Sequence, residues 1–423
     1  MNAIALVDVR CMYVSCERMA DPALKGRPVV VLSNNDGCVI SRSDEAKRVG
    51  VRMGEPWFKA KSDPRLRGVI ARSSNYELYG DLSARFHRII ADMSAWTQVY
   101  SIDEAFVALN RTGVEHALAI QERVHRYTDL PTAAGVGPTK TLAKIAQTQA
   151  KAAGQNLCDL TAWSQPQLAE LLQATPVGEV WGVGRRLARK LEAIRVRTAL
   201  ELSQLDPIQV RSRWSVMLER TVRELAGTPC ISVHCDPQPR QQILYSRMMD
   251  TPITERGKMR HALAQYAWQA SRRLRSQRQA ASLLQVWLST SRFREQPVNT
   301  GVAVALSSTD DPAQLIRAAQ AVLPKMEEGQ PYNRIAILLA GLSPAGTQPT
   351  LFDAASPQTD ALNQALDRLN LRFPHCVGPG VVGIKAAQSW DTRHDMLSPA
   401  ATTRWDELMP VYACVPPFRP VRG

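Results

Sequence analysis

The chain has 423 residues, 45% of them hydrophobic and 22% charged, the proportions of a globular protein with room for two to four domains. Its 52 Lys and Arg outnumber 39 Asp and Glu, a balance of +13 that points to a polyanion, nucleic acid above all, with plain solubility as the simpler reading. No apolar run reaches the ~18–20 residues of a bilayer span, the opening MNAIALVDVR has no basic leader, and eight scattered cysteines without a C-x-x-C pair leave no zinc site or disulfide framework, so a reduced cytoplasmic chain with no membrane partner is expected.

Residues 2–9, NAIALVDV, predict a strand that closes on Asp8. RPVVVLSNNDGCVIS holds two apolar runs around Asn34-Asn35-Asp36-Gly37, a hairpin signature. SDEAKRVGV predicts a short helix with Ser43 as N-cap and Gly50 as its stop. TQVYSIDEAFVAL reads as one continuous strand, GVEHALAIQERVHRYT as a helix, PTAAGVG as a strand and TKTLAKIAQTQAKAAG as a helix. Strands alternating with helices give an α+β or α/β core over roughly 1–165. PVGEVWGVGRRLARKLEAIRVRTALELSQL then turns helical, with Gly182 and Gly184 as interruptions, in a small unit over roughly 166–235. Beyond it, QQILYSRMM, GKMRHALAQYAWQASRRLRSQRQ, SLLQVWLST, TGVAVALSS, DPAQLIRAAQAVLPKME and NRIAILLAGL predict a βαββαβ unit. SPAGTQPTLFDAASPQ reads as a linker before the last segment.

Three carboxylates carry chemical weight. Asp8 ends the first strand, and Asp103 and Glu104 stand side by side inside a later one. Buried carboxylates need a cation or donors. Two neighbouring strands would bring Asp8 and Asp103 to one edge, where they would hold Mg²⁺, a hard cation that takes oxygen ligands. Two such ions can activate an attacking hydroxyl and stabilise a leaving pyrophosphate. An exposed acid pair, or a salt bridge to Lys or Arg, is the alternative that spacing alone leaves open.

YSIDEAF together with DVRCMYVSCE resembles the Y-family of translesion DNA polymerases. PVVVLSNNDGCVISRSDEAKRVGVRMGEPWFK, SSNYELYGDLS, GVGPTKTLAKIA, VWGVGRRLARKL, LERTVRELAGTPC and LSPAATTRWDEL are similar to its UmuC-type branch, the catalytic subunits of bacterial DNA polymerase V. The motifs follow the family's order almost end to end. The resemblance implies an α+β multidomain, right-hand polymerase. Its palm would be 1–27 and 78–165, small fingers 28–77, and a helical thumb with a helix-hairpin-helix 166–235. A βαββαβ little finger would be 240–343, a linker with a clamp-binding peptide 344–358, and a partner-binding tail 359–423. The implied activity is error-prone translesion DNA synthesis in the SOS response, on primer-template DNA with dNTP as substrate, in the cytoplasm and at the nucleoid when active.

Residue by residue, the resemblance implies two Mg²⁺ ions held by Asp8, Asp103, Glu104 and the backbone carbonyl of Val9, with the three carboxylates as the catalytic set. Asp103 is expected to bridge the metals with Asp8, and Glu104 to need a local twist or bulge to reach them. Lys47, Lys144 and Ser41 match nucleotide contacts, while Lys140 and Lys151 read as solvated helix-face lysines. Tyr13 matches the steric gate whose ring excludes a ribose 2′-OH, against core packing as the simpler role. Gly182, Val183 and Gly184 match a hairpin that meets a DNA phosphate through backbone N–H groups, with Arg185 and Arg186 adding charge. SRRLRSQRQ offers a DNA-facing or merely solvated basic stripe. Gln348, Leu351 and Phe352 of QPTLF match a sliding-clamp peptide. The tail resembles the part of the branch associated with the cleaved UmuD-type accessory dimer and RecA-type recombinase filaments.

Three positions depart from the family pattern. Arg10 stands where Asp or Asn is usual, and its strand parity with Asp8 places a cation near the metals. Met12 replaces an aromatic, and Asp44 replaces a phosphate-contacting Tyr and would repel a triphosphate if it pointed inward. A catalytically weak scaffold that binds DNA, clamp and recombinase is the competing function, and a nucleotidyl cyclase a third; a scaffold has no need of the three acids, and a cyclase none of the hairpin or the clamp peptide.

Overall fold

The structure, a computed structural model, describes residues 3–110, 113–231, 239–345, 357–373, 376–382 and 393–408. The chain divides into two units, one of Met1–Ser33, Gly37–Asp236 and Met396–Gly423, the other of Asn34–Asp36 and Pro237–Asp395.

The first unit begins with β1 (Ile4–Val9), α1 (Met12–Ala20), β2 (Val29–Leu32), β3 (Val39–Arg42), α2 (Asp44–Arg48), α3 (Trp57–Ser62), β4 (Ile70–Ser73) and α4 (Tyr76–Met93). It continues with β5 (Thr97–Val99), β6 (Glu104–Ala108), α5 (Val114–Thr128), β7 (Thr132–Gly137), α6 (Lys140–Ala152) and β8 (Leu157–Asp159). Helices α7 (Gln165–Ala174), α8 (Arg185–Ala193), α9 (Ala199–Ser203), α10 (Pro207–Arg213) and α11 (Val216–Leu225) follow.

Five of the strands form one sheet in the order β5-β6-β1-β7-β8. β1 is antiparallel to both neighbours and buried along its whole length. Alternation gives its two faces different neighbours. Ala5, Val7 and Val9 join the core cluster that contains residues of α1, α4 and α5. Ile4 and Leu6 face the other way, with Phe106 and Ala143 of α6. Asp8 shares the parity of Ile4 and Leu6, so its side chain belongs to the α6 face.

The stretch expected as one strand over 97–109 is a tight hairpin instead. β5 stops at Val99 and β6 starts at Glu104, with Tyr100 N–H and Ser101 N–H both donating to the Glu104 carbonyl, at 3.0 and 3.1 Å. The apolar alternation hid the turn because Tyr100 and Ile102 suit a strand as well as a loop.

Helix α6 lies against β7 with no room between them. A Cβ on Gly135 would fall 2.0 Å from the Gln147 nitrogen and 2.2 Å from the Ala143 oxygen, and one on Gly137 would fall 2.9 Å from the Ala143 nitrogen. Thr139 caps the helix by accepting from Leu142 N–H. Its hydroxyl also donates to the Glu224 carbonyl of α11 at 2.9 Å, while the Glu224 carboxylate accepts from Thr141 N–H at 2.9 Å and its hydroxyl at 2.8 Å. The same carboxylate accepts from Ile231 N–H at 2.9 Å.

A second, three-stranded sheet has the order β3-β2-β4. The expected hairpin joins β2 to β3, and its turn puts Asn35 at φ 60 and Asp36 at φ 48, a conformation those residue types tolerate. Ser43 caps α2 as expected, accepting from Ala46 N–H, and Gly50 beyond it has φ +97.

The second unit holds β9 (Ile243–Ile253), α12 (Arg256–Ser276), β10 (Gln279–Thr290), β11 (Asn299–Thr309), α13 (Pro312–Gln320) and β12 (Tyr332–Pro344), followed by α14 (Pro357–Arg372). This is the expected βαββαβ order, as an antiparallel sheet β11-β10-β12-β9. Alternate residues such as Leu284, Val286 and Leu288 pack with Met259, Leu263 and Leu274 of α12 and with Leu315 of α13.

Replacing Gly135 by Ala is expected to lower stability by about 3 kcal/mol or more, since only backbone stands in the way of the new methyl. Urea unfolding of the full chain reads this directly, with Gly154→Ala, a control at positive φ in open space, losing about 1 kcal/mol.

Candidate active site

Asp8 and Glu104 are direct partners across the β1–β6 ladder, so their side chains stand on the same face. The expectation that Asp103 meets Asp8 from within the strand, and that Glu104 needs a bulge, is therefore reversed. Glu104 faces Asp8 by plain register. Asp103 lies just before β6, where the turn aims its side chain: Ser101 Oγ donates to Asp103 Oδ1, and Val9 N–H donates to the Asp103 carbonyl at 2.9 Å. Val9 itself is buried, and its N–H is taken up by that bond.

Two lysines of α6 reach into this cluster. Lys151 Nζ lies 2.6 Å from Asp8 Oδ1, and Lys144 Nζ lies 3.1 Å from Glu104 Oε2 and 4.6 Å from the Tyr100 ring centroid. Burial pushes the Asp8 carboxyl up to about 7; Lys151 pulls it down, and Glu104 and Asp103 push it further up. Lys151 thus only partly offsets the burial of Asp8. Asp8 Oδ1 is buried with no donor aligned on it as a hydrogen bond, although the Lys151 ammonium is close.

The reading of Lys140 as solvated is overturned, whereas Lys151 is exposed as expected but also paired with Asp8. Lys140 is 1% exposed, its Nζ 2.5 Å from Gln98 Oε1 and 5.2 and 5.4 Å from the Trp96 and Phe106 rings. Spacings of four and eleven residues put Lys140, Lys144 and Lys151 on one helix face, and that was the signal to use. Tyr100 and Trp181 were also missed: Trp181 Nε1 donates to Tyr100 OH at 2.8 Å and its ring packs on Phe106 at 5.6 Å.

Tyr13, in the first turn of α1, is half-buried and stacks on Tyr79 with ring centroids 4.7 Å apart and planes at 17°, with Tyr76 edge-on at 5.9 Å. Burial raises its hydroxyl's pKa, and Tyr76 and Asp103 add to the shift, which places Tyr13 within electrostatic reach of the carboxylates. Cys11, between β1 and α1, adopts φ 46, a left-handed turn that starts the helix two residues after the strand.

Ser41 is buried on β3, opposite Val31. Lys47 lies in α2 and pairs with Asp44 at 2.7 Å, a contact that holds the Asp44 carboxyl below its usual range. Asp44 thus neutralises Lys47 rather than standing free. Arg10 does not pair with Asp8; its guanidinium donates to the Gln155 carbonyl. Met12 is buried in the core.

Gly182 has φ +87 and Gly184 is the N-cap of α8, in the expected hairpin position. Val183 is buried beneath them, and Arg185 and Arg186 are exposed. In the second unit the basic stripe is partly engaged: Arg275 makes a bidentate pair with Asp367 of α14, at 2.6 and 2.8 Å. Gln348, Leu351 and Phe352 lie outside the described residues.

Among the described residues no three His, Cys, Asp or Glu side chains are gathered as they would be around a metal, because each carboxylate leans on its own partner. The donor set is nevertheless all oxygen, which suits a hard divalent cation. Lys144 and Lys151 have partly exposed, flexible stems that can swing aside. The residues fit such an ion.

Comparison with known proteins gives one answer along the chain. The model of the impB/mucB/samB family matches residues 7–148, that family's C-terminal domain matches 240–351, and a domain of unknown function matches 360–411. Protein ImpB of Salmonella typhimurium is 39% identical over 96% of this chain and 98% of its own length. Protein UmuC of Salmonella typhimurium is 38% identical over 96% and 99%. DNA polymerase IV of Brucella melitensis is 26% identical over 88% and 83%. A solved Y-family DNA polymerase chimera superposes with TM-score 0.66 at 18% identity, over 80% of this chain and 98% of that one.

The different settings of the lysines predict different costs. Lys140→Ala is expected to destabilise by about 2–4 kcal/mol, through the cavity and the stranded Gln98 amide. Lys151→Ala, half-exposed, should cost under about 1 kcal/mol. Urea midpoints of the two variants measure this.

Proposed function

The chain belongs to the impB/mucB/samB family, in the UmuC-type branch of the Y-family polymerases, and on that premise we propose that Asp8, Asp103 and Glu104 are its catalytic metal ligands. The protein is a DNA-directed DNA polymerase of the translesion type, and its SOS role fits the UmuC likeness. As such it binds DNA. No helix among the described residues is long and apolar enough to cross a membrane.

One observation carries the site: Asp8 and Glu104 are registered partners on the α6 face, with Asp103 at the strand end beside them. These three, with the Val9 carbonyl, would hold two Mg²⁺ ions, which when bound would polarise the primer hydroxyl and offset charge on the leaving pyrophosphate. Asp8 sits at the centre of the sheet and anchors the cluster. Glu104, at the head of β6 next to the hairpin turn that holds Asp103, would face the primer end. Lys144, now paired with Glu104, would be available to the triphosphate once a cation took over that carboxylate, together with Lys47 and, through its hydroxyl, Ser41. The Asp44 carboxylate competes for Lys47 until the dNTP phosphates outbid it in charge. Tyr13, held flat on Tyr79, blocks the space of a ribose 2′-OH. The Gly182–Gly184 turn, with Arg185 and Arg186, meets the duplex backbone. Gln348, Leu351 and Phe352 dock a sliding clamp, and the tail meets a UmuD-type dimer and a recombinase filament.

Primer extension on an abasic template, with Mg²⁺ and accessory proteins present, tests the site. The Asp103→Ala/Glu104→Ala variant should lose at least about a hundredfold in nucleotide addition; near-normal extension by it removes these residues from the metal site. Absence of Mg²⁺-dependent addition by the wild type favours the scaffold. Tyr13→Ala should raise ribonucleotide insertion, and unchanged sugar selectivity removes Tyr13 from the gate.

A further inference from the structure

The aromatic stack behind Tyr13 does not end within α4. Tyr79 is fully buried, and its hydroxyl donates to Glu17 Oε1 at 2.5 Å. Glu17 is itself fully buried on α1, one turn beyond Tyr13. The second hydroxyl on that same oxygen comes from the far end of the chain: Ser398 Oγ donates to Glu17 Oε1 at 3.1 Å. The nearest cation, Arg72, has its Nε 4.0 Å from Oε2, and Oε2 has no hydrogen bond. Burial raises the carboxyl's pKa while Tyr79 and Ser398 lower it.

Ser398 is firmly held. Met396 exchanges hydrogen bonds with Ser73 at the end of β4, at 2.9 and 3.0 Å. Asn75, the N-cap of α4, donates from Nδ2 to the Ser398 carbonyl at 3.0 Å while accepting from Leu78 N–H. Arg404 and Thr403 close on Glu77, at 3.0 and 2.8 Å. The first turn of α4 thus faces two ways, with Asn75 and Glu77 holding the C-terminal segment and Tyr76 and Tyr79 holding Tyr13.

We propose that the C-terminal segment around Ser398 is a specificity element of the polymerase: through Glu17 and Tyr79 it fixes the Tyr13 ring and so sets how strictly ribonucleotides are refused. Removing the Ser398 hydroxyl leaves a buried carboxylate with one neutral donor instead of two. Tyr79 then shifts to compensate, and the stacked Tyr13 ring shifts with it. Ser398, Glu17 and Tyr79 are positioning residues, and the proposal rests on the reading of Tyr13 as the gate.

Single-nucleotide insertion on an undamaged primer-template, with kcat and KM measured separately for dNTP and rNTP, tests it in the full chain. Ser398→Ala should raise rNTP efficiency relative to dNTP by roughly three- to tenfold, through KM for rNTP, with dNTP kcat within about twofold. Ser398→Thr keeps the hydroxyl and should behave as wild type. Tyr13→Ala should shift the ratio further, and adding Ser398→Ala to it should change nothing. If Tyr13→Ala shifts the ratio and Ser398→Ala does not, or if Ser398→Ala slows both sugars alike, the proposal is overturned with the gate intact. If Tyr13→Ala leaves the ratio unchanged, the gate reading fails and takes the proposal with it.

Discussion

Helix α6 touches the central sheet backbone to backbone, and the arrangement of the carboxylate cluster follows from that contact. Gly135 and Gly137 remove the side chains that would hold the helix off, so Ala143 and Gln147 settle directly onto β7. At that distance the lysine face of α6 reaches across β7 to the neighbouring strand β1 and beyond it to β6. Lys151 then meets Asp8 and Lys144 meets Glu104. A helix one side chain further out would leave the acids to one another, and burial would protonate them.

The same contact explains why three lysines on one helix face differ so much. Lys140 is walled in by Trp96, Phe106 and Gln98, so its charge is spent on aromatic faces and an amide. Lys144 and Lys151 lie further along α6, keep partly exposed side chains and pair with the Glu104 and Asp8 carboxylates instead. Buried and carboxylate-paired cations are thus sorted by position along one helix.

The sequence is legible where local chemistry decides. Ser43 and Gly50 bracket α2, the βαββαβ order follows from periodicity, and Asp8 closes β1. It misleads where a tertiary contact decides. Nothing local distinguishes residues 100–103 as a turn, because Tyr100 and Ile102 favour strands, and the hairpin is fixed by two N–H groups on the single Glu104 carbonyl. That turn in turn exchanges the expected places of Asp103 and Glu104 relative to Asp8. Glu17 and Ser398 are 381 positions apart, and no reading of either stretch alone predicts that they share a hydrogen bond. The motifs DVRCMYVSCE, SSNYELYGDLS and LSPAATTRWDEL stand far apart in the chain, yet their residues are neighbours in space.

The Glu224 carboxylate, buried beneath α6, gathers Thr141 N–H, the Thr141 hydroxyl and Ile231 N–H, while the Thr139 hydroxyl binds its carbonyl. This has a consequence for modularity. A natural cut in the sequence lies near 165, where the helical texture begins, but a helical segment transplanted there would arrive with a buried carboxylate that has lost both Thr141 donors and keeps Ile231 N–H. Any chimera that exchanges these helices with a relative has to carry the Thr139–Thr141 cap along with α11, so the heritable block is a set of contacts and not a continuous length of chain.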